Sequence, residues 1–314
     1  MKLLSIIFIL ASSLYLLNSC VENTSEVSIA AEVSQISTTF TANLHSVAFA
    51  NSNVGYAVGD SGSIIKTTDG GDTWFNLFSG SSNGLACINV VNDNNIFVGG
   101  NDIILHSTNQ GYSWEEMYIP GDGFHITIND INFINNIGWA VGGDIMLNSE
   151  LSRILKSTNF GSNWSDVYFT NIKYSISSVL SIDTNSIIFS HSNEIWISQD
   201  SAIIYKSTNN GQNFNIVKND YFGGVQKLNT FDKNKLFACS RWGRIYISNN
   251  QGDSWTSIDL PDSTKLNSIY AINNNIAFSC GYYGKIIMTD DGGSLWEELN
   301  SVTQERLTGI AAPT

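Results

Sequence analysis

The sequence is poor in positive charge. Its 314 residues contain 15 Lys and Arg against 28 Asp and Glu, which gives a formal net charge of −13. Nucleic-acid binding needs a clustered positive field, so we expect no nucleic-acid partner. Only 14% of the residues are charged and 42% are hydrophobic, whereas ordinary globular domains are roughly 25% charged. This composition excludes a disordered chain and a coiled coil.

Cysteine and histidine are also scarce. Beyond Cys20 the chain has Cys87, Cys239 and Cys280, and this odd number argues against a full disulfide framework. Each lies in an apolar stretch and is interpreted as a small buried hydrophobic side chain. The four histidines lack metal-ligand spacing, and no nucleotide-binding fingerprint or nucleophile elbow occurs. We therefore expect no metal, no cofactor and no catalytic residues, although an enzyme is not excluded.

A long apolar run occurs only at the amino terminus. Met1-Lys2 precedes the apolar stretch Leu3 to Leu17, and the phrase Leu17-Asn18-Ser19-Cys20 follows. This pattern resembles a bacterial lipoprotein signal, which implies cleavage before Cys20 and lipidation of its side chain. An ordinary signal peptide that happens to contain cysteine is the alternative. The predicted organisation is a signal peptide over 1–19, a polar tether over 20–33 and a single domain over 34–314.

The expected location is the bacterial cell envelope. Acyl chains on Cys20 would anchor the protein, and no second stretch is long enough to span a membrane. Val21 follows Cys20, which resembles the pattern of lipoproteins sent to the outer membrane. The domain would then be periplasmic or exposed on the cell surface, with the lipid as its only contact with the membrane.

The chain is rich in an internal repeat. An eight-residue segment begins with Ser or Thr, has Asp or Asn third and Gly fifth, and ends in Trp or, once, Phe. We call this segment the repeat turn; it occurs at 67–74, 107–114, 157–164, 207–214, 248–255 and 289–296. Asp and Asn bond to nearby backbone N–H groups, and Gly adopts positive φ without strain. The third-position residues Asp69, Asn109, Asn159, Asn209, Asn250 and Asp291 are therefore predicted to be structural.

Each repeat unit has the pattern of four short strands, called a to d. In the first unit they are predicted over Leu44–Phe49, Gly55–Gly59, Ser63–Thr67 and Thr73–Phe78. Four strands in each period of about 40–45 residues indicate a β-propeller, an all-β fold in which each unit is one blade. A single blade cannot bury both faces of its sheet, but blades stacked around an axis can.

The sequence also resembles a known family. The phrases Gly55-Tyr56-Ala57-Val58-Gly59 and Lys66-Thr67-Thr68-Asp69-Gly70-Gly71-Asp72-Thr73-Trp74 are similar to those of Asp-box, or bacterial neuraminidase repeat, propellers. Among these, the photosystem II stability/assembly factor propellers look most alike. The resemblance implies that the repeat turns lie on the face opposite the ligand site. It also implies a seven-bladed ring whose last blade is shared by the termini.

The number of blades stays open between seven and six. Six full units carry six repeat turns, and both chain ends carry a leftover segment, Ser34 to Thr41 and Arg306 to Ala312. Thr308-Gly309-Ile310-Ala311 is similar to His45-Ser46-Val47-Ala48 in the first strand of the first unit. The preferred prediction is an incomplete seventh blade formed by both ends, and the alternative is a six-bladed ring.

Candidate binding residues lie between strands b and c, on the face opposite the repeat turns. Variable loops on a rigid scaffold are common binding sites, and Arg, Trp and Tyr are common in recognition hot spots. Equivalent turns of the fifth and sixth units contain Arg241, Trp242, Arg244, Tyr282, Tyr283 and Lys285. Longer loops in the third and fourth units end at or contain Arg153 and Trp196. The alternative interpretation is packing aromatics with solvated charges.

Carboxylates give a weaker signal for catalysis. Asp60, Asp102 and Asp200 fall near the same turn in three units, and two of them could be spaced for an inverting glycosidase. Asp is, however, a common turn residue. A sialidase resemblance would need three converging arginines and an Arg-Ile-Pro phrase, and the chain has four arginines and lacks that phrase.

The function predicted from the sequence is a lipid-anchored, non-enzymatic propeller at the cell envelope. It would act as a protein-binding scaffold or an assembly/stability factor, with an envelope protein as its partner. The alternative is a carbohydrate-binding or glycoside-hydrolysing surface lipoprotein. A structural envelope protein without a defined ligand is a third possibility.

Overall fold

The computed structural model describes residues 40–117, 119–120, 126–144, 152–167, 175–191, 201–221 and 223–313. These residues form six four-stranded antiparallel sheets, each made from four consecutive strands. Blade 1 contains β1 (Leu44–Phe49), β2 (Gly55–Gly59), β3 (Ile64–Thr67) and β4 (Phe75–Leu77). Blade 2 contains β5 (Leu85–Val90), β6 (Ile96–Gly100), β7 (Ile103–Ser107) and β8 (Glu115–Glu116). Blade 3 contains β9 (Ile126–Ile134), β10 (Ile137–Asp144), β11 (Ser152–Ser157) and β12 (Ser165–Asp166).

The remaining blades follow the same order. Blade 4 contains β13 (Ile176–Ser181), β14 (Ile187–His191), β15 (Ala202–Ser207) and β16 (Asn215–Asp220). Blade 5 contains β17 (Val225–Thr230), β18 (Leu236–Ser240), β19 (Arg244–Ser248) and β20 (Thr256–Asp259). Blade 6 contains β21 (Leu266–Ala271), β22 (Ala277–Gly281), β23 (Ile286–Thr289) and β24 (Glu297–Glu298). Two single 3-10 turns lie at Asp60–Gly62 and Tyr282–Gly284.

The predicted all-β propeller of four-stranded blades is confirmed. The a strands of successive blades pack side by side from β1 to β21 and form the inner wall of the ring. Strands a, b and c are mostly buried, whereas the short d strands form exposed outer edges. In blade 1, strands a and b match their predicted bounds, and the c and d strands are one to three residues shorter. No helix in the described ranges is long and apolar enough to cross a membrane.

All six repeat turns have the same hydrogen bonds. The first-position hydroxyl accepts the N–H of the Gly four residues ahead at 2.8–3.0 Å. The Asp or Asn side chain accepts an N–H four residues ahead at 2.9–3.0 Å. In the first turn, hydrogen bonds from Thr73 lower the pKa of Asp69 to about 2. The third-position side chains thus close the turn between strands c and d.

The fifth-position glycine of a repeat turn also contacts the preceding blade. Gly211 has φ +80°, and a Cβ there would overlap the Trp139 ring of blade 3. The equivalent contacts of the other turns join Gly111 to Tyr56, Gly161 to Phe97, Gly252 to Ile188 and Gly293 to Phe237. Glycine at this position therefore permits both the turn and the close approach of two blades.

A buried polar network links the inner strands of blades 3, 4 and 5. Asp130 is only 3% exposed. Its carboxylate accepts the Ser178 hydroxyl at 2.6 Å and the Val179 N–H at 3.0 Å. Lys227 Nζ lies 2.8 Å from the same carboxylate. The network gives the buried Asp130 carboxylate a counter-charge and fixes how the inner strands of the three blades align with one another.

A second set of hydrogen bonds crosses blade boundaries near the start of the inner strands. Asn129 Nδ2 donates to the Ile176 carbonyl at 2.8 Å, and Ser177 Oγ donates to the Val225 carbonyl at 2.5 Å. Asn267 Nδ2 donates to the Leu307 carbonyl, and Thr308 Oγ1 donates to the Leu44 carbonyl, both at 2.7 Å. Residues 305–313, which we call the seam segment, therefore occupy a seventh ring position between blades 6 and 1.

The number of sheets and the position of the seam segment can be compared with the predicted number of blades. The described residues contain six sheets, so the six-bladed alternative fits, and the preferred seventh blade has no sheet there. The seam segment forms no strand but lies where the a strand of another blade would lie. The predicted partner strand Ser34 to Thr41 falls almost wholly outside the described residues, as do the signal peptide, the tether and Cys20. The sequence similarity of Thr308–Ala311 to strand a thus identified a position rather than a blade.

The three remaining cysteines are free and buried, as predicted. Burial raises the pKa of the Cys239 thiol to about 12 and also raises the pKa values of Cys87 and Cys280. The thiols therefore stay protonated and pack as small apolar side chains.

Candidate partner-binding surface

The candidate surface lies on the face formed by the b–c turns and the d–a connections, which we call the b–c face. In antiparallel blades this face is opposite the repeat turns. Gly243 has φ +66° and Gly284 has φ +70°. A Cβ on either residue would collide with the backbone of the following d–a connection, at Ser263 and Thr303 respectively. Glycine thus lets each b–c turn rest on the connection that leads to the next blade.

Four side chains on this face alternate aromatic and cationic groups. Lys265 Nζ lies 6.0 Å from the centre of the Trp242 ring and 5.5 Å from that of Tyr282. The Arg306 guanidinium carbon lies 4.7 Å from the Tyr282 ring centre. These distances suit cation–π attraction. The Tyr283 ring lies beside Tyr282, with ring centres 6.3 Å apart.

These side chains are accessible and held in place. Trp242 is 50% exposed and Tyr283 is 73% exposed. The Trp242 ring packs directly on the backbone of Gly223, where a Cβ would overlap it. Arg306 forms no ion pair with a carboxylate in the described ranges and donates to Asn267 Oδ1 at 3.3 Å. Arg241 directly precedes Trp242 in the same turn. We call the set Trp242, Lys265, Tyr282, Tyr283 and Arg306 the b–c patch.

Two cations predicted for this surface point elsewhere. Arg244 forms a double hydrogen bond with Asp259, one arm at 2.9 Å, and also contacts Asp220. The Arg244 guanidinium lowers the pKa of Asp259. Lys285 is 9% exposed and its Nζ lies 2.6 Å from Asp262 and 2.5 Å from Glu298. Both cations are neutralised by carboxylates of their own blade and of the preceding blade or its connection, so they add little positive potential to the b–c patch.

The longer loops of blades 3 and 4 contribute little to the described surface. Arg153 hydrogen-bonds both oxygens of Asp166, at 2.9 and 2.7 Å, and the Pro120 carbonyl. This guanidinium therefore fastens strand c to strand d. Trp196 lies outside the described residues, so its predicted role has no structural counterpart here.

The predicted carboxylates take part in local structure. Asp60 accepts hydrogen bonds from Asn43 at 2.8 Å and contacts His45 Nε2 at 2.7 Å. Asp102 accepts the Ile126 N–H at 2.7 Å. Asp200 lies outside the described residues. In the described part of the chain, no group of three or more His, Cys, Asp or Glu side chains could hold a metal ion.

Sequence reasoning missed Lys265 and Arg306. Each directly precedes the first inner residue of its ring position, Leu266 or Leu307. Aligning the repeats at this position would have shown that Lys265 and Arg306 are unusual. The corresponding residues before β1, β5, β13 and β17 are uncharged: Asn43, Gly84, Ser175 and Gly224. The two basic residues thus occur where the ring brings them beside Tyr282.

Comparison with known proteins gives one family match. The family described as "Photosynthesis system II assembly factor YCF48" matches residues 25–127, less than half of the chain. Comparison with curated proteins found no match.

Solved structures are similar over most of the chain. The structure of "YCF48 bound to D1 peptide" has 17% identity and a TM-score of 0.62, and covers 84% of this chain and 82% of its own. YCF48 from Cyanidioschyzon merolae has 16% identity, a TM-score of 0.63 and coverages of 87% and 89%. The GH74 xyloglucanase from Xanthomonas campestris has 14% identity and a TM-score of 0.61, covering 82% of this chain and 45% of its own. At these identities the similarity establishes the propeller fold.

Proposed function

We propose that this chain is a non-enzymatic propeller that binds an acidic segment of a partner protein and acts as an assembly or stability factor. The b–c patch is the observation that carries this proposal. Arg306 stacks on the exposed face of the patch against the Tyr282 ring, and Lys265 lies against the same ring, so a ligand at Tyr282 would meet both cations.

The composition of the patch favours a protein partner. Trp, Tyr and Arg are enriched among the residues that dominate the binding energy of protein interfaces. The patch also brings Lys265 and Arg306 together around Tyr282 on a chain of net charge −13. Such a patch attracts acidic segments and orients them before contact. The partial match to the YCF48 family, and the D1 peptide bound to YCF48 in one similar structure, support a protein-binding role.

A pull-down with matched variants tests this proposal. The full chain, solubilised from native membranes and crosslinked, should capture a defined protein that a Trp242→Ala/Arg306→Ala variant loses. Truncating Trp242 alone should weaken binding roughly 10- to 100-fold, the usual effect at an interface hot spot. Phe231→Ala is the control, because Phe231 is 61% exposed at the end of β17 on the opposite face.

Two outcomes of this experiment would count against the proposal. Equal capture by wild type and by the Trp242→Ala/Arg306→Ala variant would show that the partner binds elsewhere. Recovery of glycan with no protein would favour the carbohydrate-binding alternative, and Asp60 and Asp102 would then be the residues to replace.

We further propose that a lipid on Cys20 anchors the protein in the cell envelope, at the outer membrane. The phrase Leu17-Asn18-Ser19-Cys20 supports this proposal. Cys20→Ala should move the protein from the membrane fraction to the soluble fraction and abolish incorporation of labelled palmitate. Ser19→Ala is the matched control, because it keeps a small residue before the cleavage site and should stay in the membrane. Membrane retention of Cys20→Ala would contradict the anchor.

A further inference from the structure

The seam segment is fastened to the same turn that carries the b–c patch. Leu307 N–H donates to the Gly281 carbonyl at 2.9 Å, and Gly284 N–H donates to the Glu305 carbonyl at 2.8 Å. Gly281 and Gly284 flank Tyr282 and Tyr283 in the b–c turn of blade 6. Arg306, which lies between these two attachment points, stacks on Tyr282. One short segment therefore supplies both a cation of the patch and the seventh position of the ring.

The other side of the seam segment holds blade 1. Thr308 Oγ1 donates to the Leu44 carbonyl at 2.7 Å, and Ala311 packs in one cluster with Leu44 and Val47. Ile310 packs with the blade 6 core. At the six other ring positions the inner strand belongs to a four-stranded sheet, whereas in the described residues the seam segment belongs to none. Its place in the ring thus depends on side-chain contacts and a few hydrogen bonds.

We propose that partner binding at the b–c patch and closure of the ring at the seam segment are thermodynamically linked. This inference rests on the proposed function, because it requires a ligand that contacts Arg306 together with Tyr282 and Lys265. A ligand spanning these residues binds the closed ring, and release of the seam segment removes Arg306 from its site. By linkage, the bound ligand then holds the segment in place, and loosening the segment weakens binding by the factor by which the closed fraction falls.

Amide hydrogen exchange of the full chain in detergent tests the linkage. The probe is a fluorescein-labelled synthetic peptide of glutamate and phenylalanine, whose affinity is measured first by anisotropy. At a free probe concentration of about 100 times Kd, opening of a site that binds only when closed is suppressed roughly 100-fold. Exchange of the amides in 305–313 should slow by about this factor, while amides of β9, on the far side of the ring, should exchange at an unchanged rate.

A pair of matched variants tests the reverse direction. Thr308→Val/Ile310→Ala loosens the seam segment without altering a patch residue. Ser177→Ala/Val179→Ala changes the equivalent positions of blade 4, where Ser177 makes the same hydrogen bond to the next blade. The seam variant should bind the probe roughly 10-fold more weakly, the effect of losing a hydrogen bond and part of an apolar contact in a populated closing equilibrium. The blade 4 variant should bind like wild type.

The outcomes separate the two proposals. Saturable probe binding that Trp242→Ala weakens, with unchanged exchange in 305–313, would keep the proposed function and overturn the linkage. Slowed exchange at every amide alike would also overturn it, because the segment would then open only with the whole domain. Absence of saturable probe binding would contradict the acidic-partner proposal and the linkage together. The exchange measurement on the wild-type chain tests whether probe binding and closure of the seam segment are linked, even if the seam variant fails to fold.

Discussion

Replacing Asp130 by alanine is expected to lower the free energy of unfolding by about 3 kcal/mol, because it leaves a partly buried ammonium without its counter-charge. The carboxylate accepts Ser178, the Val179 N–H and Lys227, which belong to two other blades. The Lys227 side chain is 31% exposed, which places the effect at the lower end of the range for broken buried pairs. Urea unfolding followed by tryptophan fluorescence measures the change.

Controls separate burial from simple loss of an ion pair. Asp253→Ala removes the 65% exposed partner of Lys206, whose 7% exposed ammonium keeps a 2.9 Å hydrogen bond to the Gln251 carbonyl, and should therefore cost less than Asp130→Ala. Lys227→Met added to Asp130→Ala should recover part of the stability, since it removes the unpaired charge. If Asp130→Ala and Asp253→Ala cost the same, the network does not stabilise the three blades in the way its geometry indicates.

Gly211→Ala is expected to destabilise the ring by about 3 kcal/mol through two effects, backbone strain and overpacking. Gly211 has φ +80°, a conformation that costs a residue with a Cβ about 1 kcal/mol or more. The new methyl would also overlap Trp139, which is 2% exposed and cannot move without disturbing blade 3. Urea unfolding again gives the change in stability.

Gly80→Ala isolates the strain from the packing. Gly80 has φ +76°, and a Cβ there would have no neighbour nearer than Phe78 Cε1 at 4.0 Å. Its loss should be about 1 kcal/mol, from strain alone. Trp139→Phe in the Gly211→Ala background should restore part of the difference by providing space. Equal losses for the two alanine variants would contradict the inter-blade role of the repeat-turn glycine.

The fold was predictable because its determinants are local and repeated. A motif such as Thr67 to Trp74 specifies its own turn, and six copies at a regular spacing imply stacked blades. The strands of blade 1 were predicted as the four short segments of one repeat unit, and their bounds were recovered to within three residues. The seventh ring position was harder, because the seam segment is fixed by backbone acceptors in blades 6 and 1 that are far away in sequence.

The candidate site was predictable only in part, for the same reason. Trp242 and Tyr282 occupy equivalent turns, and the repeat placed them side by side. The sequence did not show that Arg244 is paired with carboxylates whereas Arg306 stacks on a ring, because this depends on which cation the fold brings next to a carboxylate. Arg244 faces Asp259 on the adjacent strand, whereas Arg306 meets an aromatic ring. Sequence spacing locates a residue on a face, but charge pairing between strands decides whether its charge is available.

The buried thiols have a consequence for how the protein matures. Thiolate is the reactive form of cysteine, and a pKa of about 12 for Cys239 leaves very little of it at neutral pH. Burial of Cys87, Cys239 and Cys280 also keeps oxidants and other thiols away from them in the native ring, even in a compartment that forms disulfides. Before folding, the same three cysteines are exposed and have ordinary reactivity. Protection against oxidation in the envelope we propose thus depends on the speed of folding, and a variant that folds slowly would accumulate wrongly paired cysteines although its native state contains none.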